Sequence, residues 1–517
     1  MSRYALPPLA APFLSFFLPF MHLPPRLRVY SAVFSILLAV GLSGSTLVQA
    51  QGFGVYEQGS CVMARAGATV ASGCGDGSSV YFNPAHLADA SGVTASLGAT
   101  LVDASGEFAY DYTARPPYTG VEVDLQNDPI PIPHGYATYG VTEKLGLGLG
   151  AYVPYGLETN WPVQLSDGTY FDGAFEGFKS RIQTIYVQPT AAYQVTPNLR
   201  VGAGPVLAIS TVELRQLLDL SQQTTPAGPT FGQLGVPFHT AFARAGLESS
   251  NEIGYGANVG VSYQATDRLS FGARFTTPIT VSYEGDAEFT QIETGLVFPA
   301  PSPLARDLNR DGTPDPTPAD LLVAGQLDED GVLDQYQQRA SSDGDLSSQT
   351  VETEITFPFQ LVGGVSFQAT EKLLLLADYQ FTGWSAFDEI ALEFAKLGKR
   401  VREENYDDTH GGHLGAQYDL LDQWTVRLGY LFNTAAAPDD VVTPLLPEAA
   451  RNQFSIGVGW RPSDVVEVNA SYQRLLQNDR RGRVRGPLSG ESPTTDLNQG
   501  LYSFGANLIG TTLTLHL

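Results

Sequence analysis

The sequence predicts an all-β fold, a 14-stranded antiparallel transmembrane β-barrel with an N-terminal plug (hatch) inside the lumen. Three observations predict it. After Gly92, segments that alternate apolar and polar residues recur to the end of the chain. Their connections are of two kinds, short polar turns and long loops rich in Pro, Asp and Gly, and the two kinds alternate. No stretch reaches the roughly 18 apolar residues that a membrane-spanning helix needs.

The chain divides into three parts. Arg26 and Arg28 precede an apolar run from Ser31 to Leu42, and Val48-Gln49-Ala50 follows it. That order reads as a secretory signal over residues 1–50, cut after Ala50. The Pro-rich first twenty residues are unusual for a signal, and a start at Met21 leaves one of ordinary length. Residues 51–91 are rich in Gly, Ala and Ser and show neither the period of a strand nor that of a helix. Such a stretch ahead of a long run of strands predicts a plug. It holds both cysteines, Cys61 and Cys74, which an oxidising compartment would allow to pair; two free thiols are the alternative.

Residues 92–517 predict the barrel. The short turns lie at Thr142-Glu143-Lys144, Thr196-Pro197-Asn198, Thr266-Asp267-Arg268, Thr370-Glu371-Lys372, Leu421-Asp422-Gln423 and Pro462-Ser463-Asp464. The long loops fall at about 104–133, 156–178, 222–253, 285–352, 393–405, 435–450 and 479–499. Six turns and seven loops join fourteen strands. Short turns at one end, longer loops at the other and an even strand number make the layout of a bacterial outer-membrane barrel. Strand faces agree: Val426, Leu428, Tyr430 and Phe432 share one face, and Thr425, Arg427 and Gly429 the other. Lipid cannot satisfy the backbone groups of an open edge, so the sheet must close.

Charge excludes one class of partner. The net charge is −25, and without residues 1–50 it becomes 26 − 54 = −28. Phosphate contacts need clustered Lys and Arg, so no nucleic acid is expected. No nucleophile elbow and no Cys-His arrangement is present, and the chain is not expected to be an enzyme. His410-Gly-Gly-His413 looks like a metal pair but reads better as polar residues of the lumen or rim.

Four groups of residues are candidates for a role. In the 285–352 loop, Asp307, Asn309, Asp311 and Asp315 space oxygen ligands as a calcium turn does, and Asp328, Asp330 and Asp334 repeat part of that spacing. A structural calcium there is the only cofactor expected; a plain acidic loop is the alternative. Arg274 and Arg427, on lumen faces, could pair with a ligand carboxylate or balance lumen acids such as Asp378 and Glu467. Phe53 and Phe82 could line an apolar pocket, with Asn83, Pro84 and Ala85 fixing a turn beside it. In the third strand, Pro154 removes a ladder donor and Gly156 weakens packing, so the strand either ends or kinks there.

Gly52-Phe53, Glu57, Ser60, Arg65-Ala66, Asp76 and Asn83-Pro84-Ala85 follow one another in an order that resembles the N-terminal hatch of the FadL/TodX family of outer-membrane transporters. A second block is similar to the family's C-terminal half: Phe357-Pro358, Trp384 to Glu389, Thr443 to Pro447 and Arg451. The resemblance implies passive transport of hydrophobic molecules, long-chain fatty acids foremost, by a monomer in the bacterial outer membrane. It implies that the hatch moves and that an inward kink of the third strand, at Pro154 and Gly156, opens the barrel wall to membrane lipid. A polar-solute porin or a calcium-dependent surface adhesin is the alternative reading.

Overall fold

The alternating segments form one continuous antiparallel sheet. The computed structural model describes residues 54–110, 120–225, 228–323, 345–483 and 498–517; the signal reading, Phe53, Asp328, Asp330 and Asp334 lie outside them. The first five strands are β1 (Val93–Tyr110), β2 (Ile130–Gly140), β3 (Leu145–Asn160), β4 (Lys179–Thr196) and β5 (Leu199–Asp219). Five strands in two segments follow: β6 (Ala241–Ser249, Glu252–Thr266), β7 (Leu269–Thr276, Ile279–Gln291), β8 (Gln349–Phe357, Gln360–Gln368), β9 (Leu373–Thr382, Glu389–Phe394) and β10 (Gly398–Glu403, Thr409–Leu421). The last four are β11 (Trp424–Asn433), β12 (Arg451–Trp460), β13 (Val466–Gln477, extended by Arg480–Arg483) and β14 (Asn498–His516). Each strand pairs with the next. β1 also pairs with β14, from Thr94 opposite His516 to Tyr110 opposite Gly500, which closes the barrel. All six short turns lie where the sequence places them. Among the described residues no helix is long and apolar enough to cross a membrane.

Several loops are shorter than the sequence suggests. β1 runs on to Tyr110, β7 to Gln291, and only residues 395–397 join β9 to β10. The cause is a reversal of polarity along the strands. In the first segment of β7, Phe271 and Phe275 face outward while Gly272, Arg274 and Thr276 face the lumen. In its second segment Thr280, Ser282, Glu284 and Asp286 face outward, and Ile279, Val281 and Tyr283 are buried. The turn end of the barrel is apolar outside and polar inside, as a membrane demands. The loop end is polar outside and apolar inside, as water demands. Apolar-out patterning marks only the first region.

Residues 54–91 lie inside this sheet, nearly all of them buried. They form two short helices, α1 (Ser60–Ala64) and α2 (Ser79–Phe82), and a 3₁₀ turn over Pro84–Asp89. Cys61 and Cys74 are bridged, with Cα atoms 6.2 Å apart; a loop of that size gains about 3 kcal/mol from a disulfide. Charged and amide groups tie the segment to the strands. Asp378 accepts from the Thr69 and Val70 amides at 2.7 and 2.9 Å. Arg65 donates to Gln417 at 2.5 Å. The glycines of β3 make room rather than weaken the strand: a Cβ on Gly146 would lie 1.8 Å from the Leu87 carbonyl oxygen, and one on Gly148 2.8 Å from the side chains of Leu87 and Val80.

Candidate functional site

β3 leaves the ladder where Pro154 stands. Tyr152 faces Tyr186 and Tyr155 faces Thr184, so Val153 and Pro154 together oppose Ile185 on β4. This is a β-bulge, one extra residue that bends the strand. On the other side, β2 and β3 pair only from Gly140 opposite Gly146 to Gly135 opposite Ala151. Above that point they part, and the chains meet again where the Gln126 amide donates to the Asn160 carbonyl at 2.7 Å. A window in the ladder, bounded at both ends, therefore interrupts the wall. Pro131 and Pro133 of β2 border it with Pro154, and none of the three carries an N–H. Pro131 and Pro133 stand opposite Leu101 and Ala99 of β1, level with the outward apolar side chains of Leu97 and Leu101. The sequence shows this signal as Ile130-Pro131-Ile132-Pro133, a strand unable to donate at two of its positions.

The N-terminal segment takes up the groups that the bulge frees. The Val55 amide donates to the Pro154 carbonyl at 2.9 Å, and Gln58 Nε2 donates to the Val153 carbonyl at 3.0 Å. Gly54 and Tyr155 form a single antiparallel bridge. Tyr136 of β2 donates to the Gln58 carbonyl at 2.8 Å.

Two apolar cavities meet at this place. One, of about 300 Å³, lies at the window, between Val55, Ile130, Pro131, Val153, Gly156 and Leu157. The other, of about 270 Å³, lies at the loop end and is lined by Leu157, Ile182, Tyr283, Ile355, Phe387 and Leu445 among others. Leu157 and Ile182 belong to both. Buried rings of Tyr155, Phe357 and Trp384 stand beside them; Tyr155 and Phe357 lie 4.7 Å apart. A polar cavity of about 760 Å³ opens at the turn end instead, lined by Ser72, Asp89, Arg200, Gln264 and Arg461 among others.

The other expected residues lie elsewhere. None of Phe82, Asn83, Pro84 and Ala85 lines either apolar cavity. Asn83 is structural: its Nδ2 donates to the Val70 and Val261 carbonyls at 2.6 and 3.0 Å, and its Oδ1 accepts from the Ala85 amide. Arg274 lies over the Tyr81 ring at 4.4 Å and donates to Gln360 at 2.6 Å. Arg427 donates to Gln417 and Asn469 at 2.9 and 2.7 Å. Both guanidiniums are thus engaged by the barrel and the segment, and neither reaches an apolar cavity. Arg451, near the Glu57 carboxylate, and Arg181 are the cations that line the window cavity.

The acidic turn folds on itself. Asp307 accepts from the Asp311 and Gly312 amides at 3.0 and 2.8 Å, and Asp315 from the Leu308 and Asn309 amides at 2.9 and 3.2 Å. Hydrogen bonds from the Thr313 hydroxyl and amide, and from Asn309, hold the Asp311 carboxyl below its usual range. Among the described residues, no three acidic, His or Cys side chains converge as metal ligands do. Calorimetry decides whether calcium draws these oxygens together. A heat of calcium binding that Asp311→Ala removes assigns the turn to the ion; no heat in the millimolar range, where weak extracellular modules bind, leaves a self-capped turn.

A closed β-barrel with an apolar outer belt, a lumen occupied by its own N-terminal segment and a window in its wall defines a class of outer-membrane channel. Residues 41–508 match the family described as outer membrane protein transport protein (OMPP1/FadL/TodX), and the chain belongs to that family. It is 23% identical over 357 residues to outer membrane protein P1 of Haemophilus influenzae, a match covering 66% of this chain and 65% of that protein. It is 22% identical to the long-chain fatty acid transport protein of Escherichia coli O6:H1, over 85% of this chain and 90% of that one. In fold it is similar to a Pseudomonas aeruginosa FadL homologue, with a TM-score of 0.69, 19% identity and coverage of 90% of this chain and 100% of that one. The P. putida toluene transporter TodX gives 0.62 and 16%, over 89% of this chain and 98% of that one.

Proposed function

We propose that this barrel carries hydrophobic molecules from outside the cell into the outer membrane and releases them sideways between β2 and β3. The observation that carries the reading is the pair of adjacent apolar cavities that share Leu157 and Ile182 as wall residues, one of which ends at the window. A dry cavity holds an apolar solute because water gains by its removal, about 25 cal/mol per Å² of apolar surface. The bulge then offers a way out at the level of lipid, and the bonds from Val55 and Gln58 make the N-terminal segment the plug that closes it.

Long-chain fatty acids are the substrate class assigned first. One relative is named for this transport; on the window cavity Arg451 and Arg181 stand beside Glu57 and Glu158, so its charge is balanced and the apolar lining carries the assignment. Monoaromatic hydrocarbons are the second class, after the toluene transporter of similar fold. A continuous polar pore would favour a porin, and the apolar lining of both cavities speaks against one. Leu157→Trp tests the route where the cavities meet. In proteoliposomes the variant is expected to bind solute at the loop end and to lose most of its uptake. Uptake at the parental rate would remove the route.

A further inference from the structure

We infer that the loop-end cavity has its own side port, between β8 and β9, which admits uncharged hydrophobes in preference to anions. The inference rests on the reading of the barrel as a carrier of hydrophobic molecules, and it names the form of solute that enters.

The wall has a second break. β8 and β9 pair from Gln368 opposite Leu374 up to Gln360 opposite Thr382. They pair again only at Glu352 opposite Glu393 and Val351 opposite Phe394. Between these ladders β9 turns away through a 3₁₀ turn at Trp384–Ala386 and joins β10 instead, with Glu389 opposite Glu403. The stretch of β8 from Thr353 to Phe357 therefore has a ladder partner on the β7 side alone, where Ile355 faces Val281. Outward residues at this height are polar, as at Ser282, Glu284 and Glu354, so the break lies beyond the apolar belt and faces water.

Both sides of the break are hollow. Inside lies the apolar cavity of about 270 Å³; outside lies a polar vestibule of about 840 Å³. Tyr283, Thr353 and Phe387 line both, so these three side chains form the partition. Thr353 Oγ1 is buried there without a hydrogen-bond partner. A buried hydroxyl left unmade costs free energy, and a solute passing the partition with a hydroxyl or carboxyl group would satisfy it.

Charge sets what passes. Seven carboxylates line the vestibule, Glu284, Glu352, Glu354, Asp388 and Glu389 among them, against one cation, Lys399. Lys399 lies 3.6 Å from Glu389 and is half-exposed. A rim of one sign raises the local concentration of opposite charge, lowers that of like charge and leaves uncharged solutes unaffected. A long-chain alcohol, a hydrocarbon or the protonated form of a fatty acid meets no such barrier; a carboxylate does.

The test does not depend on transport. Cys61 and Cys74 are bonded to each other, so a Thr353→Cys variant carries one reactive thiol. In the folded, detergent-solubilised barrel, N-ethylmaleimide, which is neutral, is expected to modify it severalfold faster than a maleimide carrying a sulfonate. Adding Glu352→Gln, Glu354→Gln and Glu389→Gln is expected to bring the two rates together, and high salt to act in the same direction. A thiol that neither reagent reaches, or a rate ratio unmoved by the three substitutions, overturns the port. In proteoliposomes the same three substitutions should raise uptake of a long-chain fatty acid relative to the alcohol of equal length. If both maleimides behave as expected and neither lipid is taken up by the parent, the port stands as an opening and the transport reading fails.

Discussion

Deleting Pro154 and replacing Pro131 and Pro133 by Val is expected to seal the wall and to reduce uptake of hydrophobic solute roughly tenfold or more, since lipid-facing backbone then finds its partners within the sheet. Val153 and Pro154 share one partner position opposite Ile185. Removing one residue lets Tyr155 follow Tyr152 at the regular spacing, so both rings keep facing the lumen and no later side chain changes face. Val at 131 and 133 restores two donors to β2. The ladder can then continue above Gly135 and Ala151. Heat-modifiability on gels should persist, because closure through β1 and β14 is untouched. Binding in the loop-end cavity should persist as well, because none of the three prolines lines it. A sealed barrel that transports as the parent does would show that solute leaves straight down the lumen.

Tethering the N-terminal segment to β3 is expected to stop uptake reversibly. Gly54 and Tyr155 are partners in an antiparallel bridge. Facing residues in such a pair have Cα atoms about 4.5–5.5 Å apart, within the span of a disulfide. The Gly54→Cys, Tyr155→Cys variant should therefore form a bond that holds the segment across the window. Oxidised protein should bind solute and fail to release it into the bilayer. Reduction under conditions that spare the buried Cys61–Cys74 bond should restore uptake, which separates the effect of the tether from the loss of the Tyr155 ring. Equal uptake by oxidised and reduced protein would mean that residues 54–58 do not move during transport.

The turn end of the barrel is legible in the sequence because a membrane imposes period-two alternation with the apolar face outward. Residues 425–432 and the six polar turns carry that pattern, and each turn lies where it is read. The loop end is hidden because the same strands continue with the opposite face apolar, and residues 285–291 then read as loop although they are strand. The kink at Pro154 is visible since proline cannot donate. Its consequence is not, because the window needs Pro131 and Pro133 on a neighbouring strand and a register that only pairing sets. Phe82 and Asn83 illustrate the limit of local reading: a bulky ring and an amide fit a pocket or a packed turn equally well. Contacts with Tyr81, Val70 and Val261 decide for packing. Arg274 and Arg427 are marked as lumen-facing by strand period alone, but whether a guanidinium is spent on Gln360, Gln417 and Asn469 or left for a ligand depends on residues far away in the chain. Periodicity and composition determined the barrel, its strand number and the compartment. Which side chains meet to form a dry cavity was decided only by closure of the sheet, because strand order brings together residues as distant as Leu157, Ile355 and Leu445, and no local pattern records that separation.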